Sequence, residues 1–282
     1  MMDDFNGKLA VVTGGASGIG FGMAEAFGAE GARIALLDIE DAALETAVEA
    51  LRTKGVSATG QRVDVTDRAA MVAAAAAIAD AEGPVHILCN NAGVGVADPL
   101  QIARAEDWDW VLAVNLNGVV NGLLAFLPGM VAHGEAGHLV NTASVAGLHP
   151  MREIGIYNTS KYAVVGMTET LFDDLKGTAI GASALCPGYV NTNINQSRRN
   201  RHAAFGASRP PQMSREAMRQ IDHALKTRGL APVDVGRMVV DGIRRNLLYI
   251  VTDPAFWTPI RRRFERIAAD TAALHGGMPG LE

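Results

Sequence analysis

With 282 residues, 49% hydrophobic and 20% charged, the chain has the size and composition of one large α/β domain that can bury a sizeable core. Its net charge of −5 argues against a nucleic-acid partner. The acidic start, Met1–Lys8, lacks the apolar core of a signal peptide, and the most membrane-like run, 122–132, is short and broken by Pro128, so a cytoplasmic protein with no membrane partner is expected.

The first half alternates strand-like and helix-like segments. Leu9–Val12 is a short apolar run that leads into the glycine-rich Thr13–Gly20, and Phe21–Gly28 reads as a helix closed by Gly31. Arg33–Leu37 is a second strand ending at Asp38, and Asp41–Lys54 a helix stopped by Gly55. Ala58–Val65 is a third strand, and Thr66 or Asp67 is a good N-cap for a helix over Arg68–Glu82. His86–Cys89 is a fourth strand running into Asn90-Asn91-Ala92-Gly93. A long helical region over Trp108–Met130, a strand at Gly137–Thr142, a helix at Tyr157–Lys176 and strands at Ile180–Leu185 and Leu247–Thr252 complete the pattern. Such alternation predicts a doubly wound, Rossmann-type parallel sheet of about seven strands, with helices on both faces, as one domain over 1–282. The polar, arginine-rich and proline-marked segment 193–231 reads as loop and helices roofing a substrate pocket, able to order on binding. In the tail, 253–282, Phe256, Trp257, Ile260 and Phe264 have the spacing of one apolar helical stripe, and Leu281–Glu282 reads as a cloning remnant.

Three glycines, Gly14, Gly18 and Gly20, stand between a strand and a helix. They permit a tight turn and close approach of a phosphate to the helix N-terminus. Asp38 follows 20 residues after Gly18, where a carboxylate binds the adenosine ribose hydroxyls and repels a 2′-phosphate. With Ser17 and Ile39 nearby and no arginine, NAD is expected rather than NADP. Asp64 is either an adenine partner or a cap. Tyr157 and Lys161 share one helix face, and Ser144 follows a strand. A neighbouring ammonium favours a phenolate and brings the phenol toward working range, which makes this trio a proton-transfer site. Cys89 and Cys186 read as buried reduced thiols, and the seven histidines lack metal-ligand spacing, so no metal is expected.

Together these residues resemble the short-chain dehydrogenase/reductase family, with motifs in order over about residues 7–192. Thr13–Gly20 is similar to its cofactor loop, Asn90–Gly93 to its turn after strand four, and Pro187–Thr192 to its nicotinamide-side loop. The resemblance implies cofactor contacts at Thr13, Gly14, Ser17, Gly18, Ile19, Gly20, Asp38, Ile39, Asp64, Val65, Asn91, Ala92, Gly93, Tyr157, Lys161, Pro187, Gly188, Val190 and Thr192. It implies a catalytic set of Asn115, Ser144, Tyr157 and Lys161, in which Asn115 holds a water against Lys161. Val114–Gly122, the long loop and Asn246–Pro254 are loosely similar to bacterial Cα-dehydrogenases that oxidise benzylic alcohols of lignin-derived aryl ethers.

The expected activity is reversible hydride transfer between a bulky or aryl secondary alcohol and its ketone, with NAD. His149, Met151, Ile154 and Tyr189, with Ser144 and Tyr157, are the expected pocket residues. Arg198, Arg199 and Arg201 read either as an anion site or as a solvated face. Apolar residues on more than one face of Asn117–Met130 and Ala163–Leu175 point to a homo-oligomer, and the resemblance points to a tetramer, with a dimer as the smaller option. The competing readings are a 3-oxoacyl or other carbonyl reductase of the same fold, and a non-catalytic NAD-binding regulator.

Overall fold

The computed structural model describes residues 2–275, so Leu281 and Glu282 lie outside the described residues. The sheet contains β1 Leu9–Thr13, β2 Arg33–Asp38, β3 Ala58–Arg62, β4 Val85–Asn90, β5 Gly137–Thr142, β6 Ile180–Cys186 and β7 Tyr249–Val251. Every neighbouring pair is parallel, in the order β3-β2-β1-β4-β5-β6-β7. All five residues of β1 are buried, which explains its unbroken apolar run. Alternation then divides them between two cores. Ala10 and Val12 pack with α1 (Gly18–Ala29), α2 (Asp41–Thr53) and α8 (Pro232–Arg244) on one face. Leu9 and Val11 pack with α3 (Arg68–Glu82), α5 (Gly118–Ala132) and α6 (Gly155–Asp174) on the other.

The strand order reverses between β1 and β4, so a crevice opens at their carboxyl ends, where such sheets bind ligands. β3 stops at Arg62, three residues short of the expected end, and places Asp64 in the connection rather than in the strand. Asp67 caps α3 as expected, accepting from the Ala70 amide at 3.0 Å.

The long helical region is continuous over Ala105–Ala132: α4 (Ala105–Leu112), a π-helical turn (Ala113–Asn117) and α5. By length and composition this run would suffice to cross a bilayer, with a mean hydropathy of 1.7 over its most apolar 18 residues, contrary to the expectation from sequence. Here it covers the sheet, with Val119, Leu123, Phe126 and Met130 in the core.

The C-terminal third departs most from the sequence pattern. Helix α7 (Arg215–Thr227) lies within the 193–231 segment, and α8 has no counterpart among the expected elements. α8 meets α1 through glycines on both sides: a Cβ at Gly22 would stand 2.2 Å from the Pro232 carbonyl, and one at Gly236 2.2 Å from the Gly22 carbonyl. In α9 (Trp257–His275) the expected apolar stripe is split. Ile260 is buried and Phe256 turns toward His149 and Tyr189, whereas Trp257 and Phe264 are 61% and 55% exposed.

Candidate active site

One cleft at the carboxyl ends of the strands gathers residues from across the chain: Gly14, Ser17–Ile19, Asp38, Ile39, Asp64, Val65, Asn91–Gly93, Ser144, Tyr157, Lys161, Pro187, Gly188, Val190 and Thr192.

The glycine turn forms its phosphate-sized end. Gly14 and Gly18 have φ of 62° and 54°, a region that penalises any Cβ. A Cβ at Gly20 would stand 2.1 Å from the Gly14 carbonyl, so the turn and the first turn of α1 are in direct backbone contact. Ser17, the N-cap of α1, makes no side-chain cap bond, leaving the first amides of the helix without a side-chain partner. Two expected cofactor contacts lie behind this surface. Gly20 packs the turn, and Thr13 is 2% exposed, its Oγ1 accepting from the Asn91 amide at 2.9 Å and the Ala92 amide at 3.1 Å. Asn91 is also a staple: Nδ2 donates to the Thr13 and Gly14 carbonyls (3.1 and 3.2 Å) and Oδ1 accepts from Thr142 Oγ1 (3.2 Å). The Pro187–Thr192 loop closes the turn, since a Cβ at Gly18 would meet Thr192 Cγ2 at 3.2 Å.

Asp38 ends β2 with its carboxylate fixed at both oxygens, Oδ2 by the Ala16 amide (3.0 Å) and Oδ1 by the Glu40 amide (3.1 Å). Asp64 has the capping contact of its alternative reading, Oδ1 accepting from the Thr66 amide at 2.9 Å, and still lines the cleft. The expected absence of arginine near Asp38 is corrected in space. Arg62 pairs with Asp38 in the β2–β3 register, and Arg199 arrives from the roof to bond Glu40 at 2.7 Å.

At the other end, Ser144 lies just past β5 and also caps a short 3-10 turn, its Oγ accepting from the Ala146 amide at 3.1 Å. Tyr157 and Lys161 share the first turns of α6, with Lys161 Nζ 5.5 Å from the phenol ring centre. Lys161 is 3% exposed, donates to the Thr142 carbonyl at 2.8 Å, and has its pKa pushed down to about 8 by burial. The phenol's pKa stands above its ordinary value rather than below it, with burial and not this ammonium as the main influence, and the hydrogen bond between Tyr157 and Ser144 offsets only part of the rise.

Asn115 sits in the π-helical turn and is fully buried. Its Oδ1 accepts from the Val94 amide at 2.8 Å, and Nδ2 donates to the Val94 carbonyl (2.9 Å) and Ser160 Oγ (3.1 Å). Both amide protons are engaged, so its first role is to fasten the Asn91–Val94 turn to α6. A Cβ at Gly93 would stand 3.5 Å from Asn115 Oδ1 and 3.6 Å from Lys161 Nζ, so this glycine keeps the space between the two side chains open.

Of the expected pocket residues, Ser144 and Tyr157 line this cleft, and His149, Met151, Ile154 and Tyr189 stand outside it. His149 and Tyr189 pack on Phe256, each at 5.8 Å between ring centres, and Tyr189 faces a second depression beside α7. The main chain at Met151 holds Asn158, whose Nδ2 donates to the Met151 carbonyl at 2.7 Å. The cleft's apolar wall is instead Val94, Trp110, Val114 and Phe205, a separate hydrophobic cluster over the sheet edge. Trp110 and Phe205 stand apart from every motif, and only their apolar character in a helix and a polar loop marks them in the sequence.

The arginine run also divides. Arg199 bonds Glu40, while Arg201 is buried in an ion pair with Asp107, donates to the Phe205 carbonyl at 2.6 Å, and lies 5.1 Å from the Trp110 ring centre. The solvated-face reading fails for Arg201 and holds for Arg199, whose side chain is 38% exposed.

The short chain dehydrogenase family model matches residues 8–203. The chain is 34% identical over 280 residues to a C alpha-dehydrogenase of Sphingobium sp. SYK-6, covering 99% of this chain and 91% of that one. It is 30% identical over 277 residues to a CLA biosynthesis dehydrogenase/reductase of Lactiplantibacillus plantarum, covering 96% of each. Among solved structures, a short chain dehydrogenase/reductase of Burkholderia phymatum in complex with NAD superposes with a TM-score of 0.91 at 41% identity, over 96% of this chain and 97% of that one. The apo form of LigD from Sphingobium sp. SYK-6 gives 0.78 at 31% identity, over 94% and 97%.

Proposed function

The chain belongs to the short-chain dehydrogenase family, an oxidoreductase of the alcohol-dehydrogenase type, and from that premise we propose that it interconverts a bulky or aryl secondary alcohol and its ketone with NAD. The observation that carries this reading is that Ser144, Tyr157 and Lys161 line the same cleft as the glycine turn and Asp38. The residues present fit a nicotinamide dinucleotide: a turn with two left-handed glycines, uncapped helix amides and an oriented carboxylate. When bound, such a group would supply the hydride acceptor, and the positive charge of its oxidised ring would favour the phenolate.

Tyr157 Oη takes the hydroxyl proton of the alcohol, or returns it to a ketone. Ser144 Oγ, which accepts from the Ala146 amide and stands beside Tyr157, can turn its one proton from the phenol to the substrate oxygen. Lys161 supplies positive charge on the phenol's side, and Lys161 with Asn115 flanks the gap beside Gly93 that would carry a proton onward. Phe205 and Val114, partly buried apolar residues of the cleft, support the aryl preference, as does the similarity to C alpha-dehydrogenase. We place the protein in the cytoplasm with no nucleic-acid or membrane partner. It acts as a homo-oligomer, a tetramer or dimer, through faces such as α5, where Leu124 and Val131 are 52% and 42% exposed. Sedimentation showing a monomer at all concentrations would remove the oligomer.

The test of activity is absorbance at the NADH band with aryl and aliphatic secondary alcohols and 3-oxoacyl thioesters, each with NAD and NADP. Turnover of aryl alcohols with NAD supports the reading. NADPH-dependent reduction of thioesters supports the reductase alternative, and silence throughout with retained NADH binding supports the regulator.

A further inference from the structure

The ribose end of the cleft contains more charge than the Asp38 motif shows. Glu40 lies two residues beyond Asp38, and its amide is one of the two that fix the Asp38 carboxylate. Its own carboxylate takes two contacts from Arg199, Nη2 on Oε1 at 2.7 Å and Nε on Oε2 at 3.4 Å. Asn200 Nδ2 adds a third, on Oε1 at 2.7 Å. Arg199 Nη1 is held in turn by the Gln196 carbonyl at 3.1 Å, so the guanidinium has one orientation. Asp38, Glu40, Arg199 and Asn200 all line the cleft. A second arginine flanks the same end: Arg62 donates to the Ile39 carbonyl at 3.2 Å and faces Asp41 Oδ2 at 3.4 Å. Two guanidinium groups thus lie near the Asp38 end of the cleft, and each is engaged by a neighbouring carboxylate.

We propose that Glu40 is a cofactor-specificity residue: its ion pair keeps Arg199 from meeting a 2′-phosphate. The inference rests on the dinucleotide reading of the cleft and extends it. Asp38 alone repels the phosphate, while Glu40 removes the partner that would compensate for the repulsion. Of the two pinned arginines, Arg199 is the effective one, because it lines the cleft and Glu40 engages it at two points, whereas Arg62 lies outside the lining and its pair with Asp41 is more exposed. The Arg199 side of the pair comes from a segment 159 residues away, which is why residues next to Asp38 in sequence do not reveal it.

The test is direct binding of NADH and NADPH to the full chain, by calorimetry, for wild type, Glu40→Gln, Arg199→Ala and the double variant, with melting temperatures as a control on folding. Wild type is expected to favour NADH. Glu40→Gln should tighten NADPH by about tenfold relative to NADH, the effect of one additional charge-assisted hydrogen bond from the released guanidinium to the phosphate. The double variant should lose that improvement, because the released arginine is absent. The proposal is overturned if Glu40→Gln leaves the NADPH-to-NADH ratio within about twofold of wild type, or if the double variant keeps the improvement. A wild type that favours NADPH overturns the NAD reading itself and takes this inference with it. A wild type that favours NADH, with an unresponsive Glu40→Gln, overturns the inference alone.

Discussion

The floor of the cleft and its roof are held by different forces. The floor, from the Gly14 turn to the Pro187–Thr192 loop, is backbone against backbone. Glycines without room for a Cβ, amides on Thr13 Oγ1 and Asn91 bridging β1, β4 and β5 leave few side chains free to move. The roof, from Asn193 to Gln212, is joined to the rest largely by charge: Arg199 to Glu40, Arg201 and Arg209 to Asp107, and Arg209 to Asp98. Close packing is indifferent to salt and responds to pH only where a buried group titrates. Ion pairs depend on both. The floor of the cleft is therefore the robust half, and its roof the adjustable one.

The largest effect expected is on the floor's chemistry. Tyr157→Phe should lower turnover by about 10²–10⁴-fold with NADH affinity nearly unchanged, as read by steady-state rates beside binding. Wild-type turnover in that variant would remove Tyr157 as the acid–base group. Next is the roof's anchor. Asp107→Asn leaves the buried Arg201 without its counter-charge and should cost about 3–5 kcal/mol in denaturant unfolding, if roof and sheet unfold together. If only the alcohol KM rises and global stability holds, the roof is an independent unit.

The two halves should also respond at opposite ends of the pH scale. Lys161 titrates near 8 in the fold against an ordinary 10.5, so the folded state loses its proton first. Stability attributable to Lys161 should rise with pH between those values, by about 2–3 kcal/mol relative to Lys161→Met. In the roof, burial pushes the Asp107 carboxyl up, but bonds from Arg104 and Arg201 outweigh it and the net shift is downward. Glu40 is also lowered, by its bonds from Arg199 and Asn200. Stability from both is present above the ordinary carboxylate range and lost as pH falls through their folded values. Hydrogen exchange should therefore show residues 194–212 loosening in acid before β1 and β4 do. Simultaneous loosening would erase the distinction. The smallest effect belongs to the exposed Arg199–Glu40 pair: raising NaCl to about 0.5 M should change roof protection by under about 1 kcal/mol.

The same contrast explains what is legible in the sequence. Gly14, Gly18 and Asp38 follow from local backbone demands, and the Tyr157–Lys161 spacing follows from helix geometry, so both can be placed from the chain alone. The partners of Arg199 and Arg201 lie 159 and 94 residues away, and no periodicity records such pairing. His149 and Tyr189, near Ser144 and the Pro187–Thr192 loop in sequence, both pack on Phe256 from the tail, a contact that no local pattern records. The π-helical turn at Asn115 is invisible for a related reason. It is stabilised by the bonds of one side chain to Val94 and Ser160, within a run whose composition is ordinary for a helix.

Cys89 closes β4 just before Asn90 and Asn91, and Cys186 ends β6 against Pro187. Both are sealed from solvent, and burial raises both thiols, Cys186 to about 12. A thiol with no thiolate and no access does not react with iodoacetamide. Each one becomes an alkylation clock for its own strand end, one beside the Asn90–Gly93 turn and the other beside the Pro187–Thr192 loop. The order in which the two are labelled in mild denaturant would show, without any engineered probe, which side of the crevice opens first.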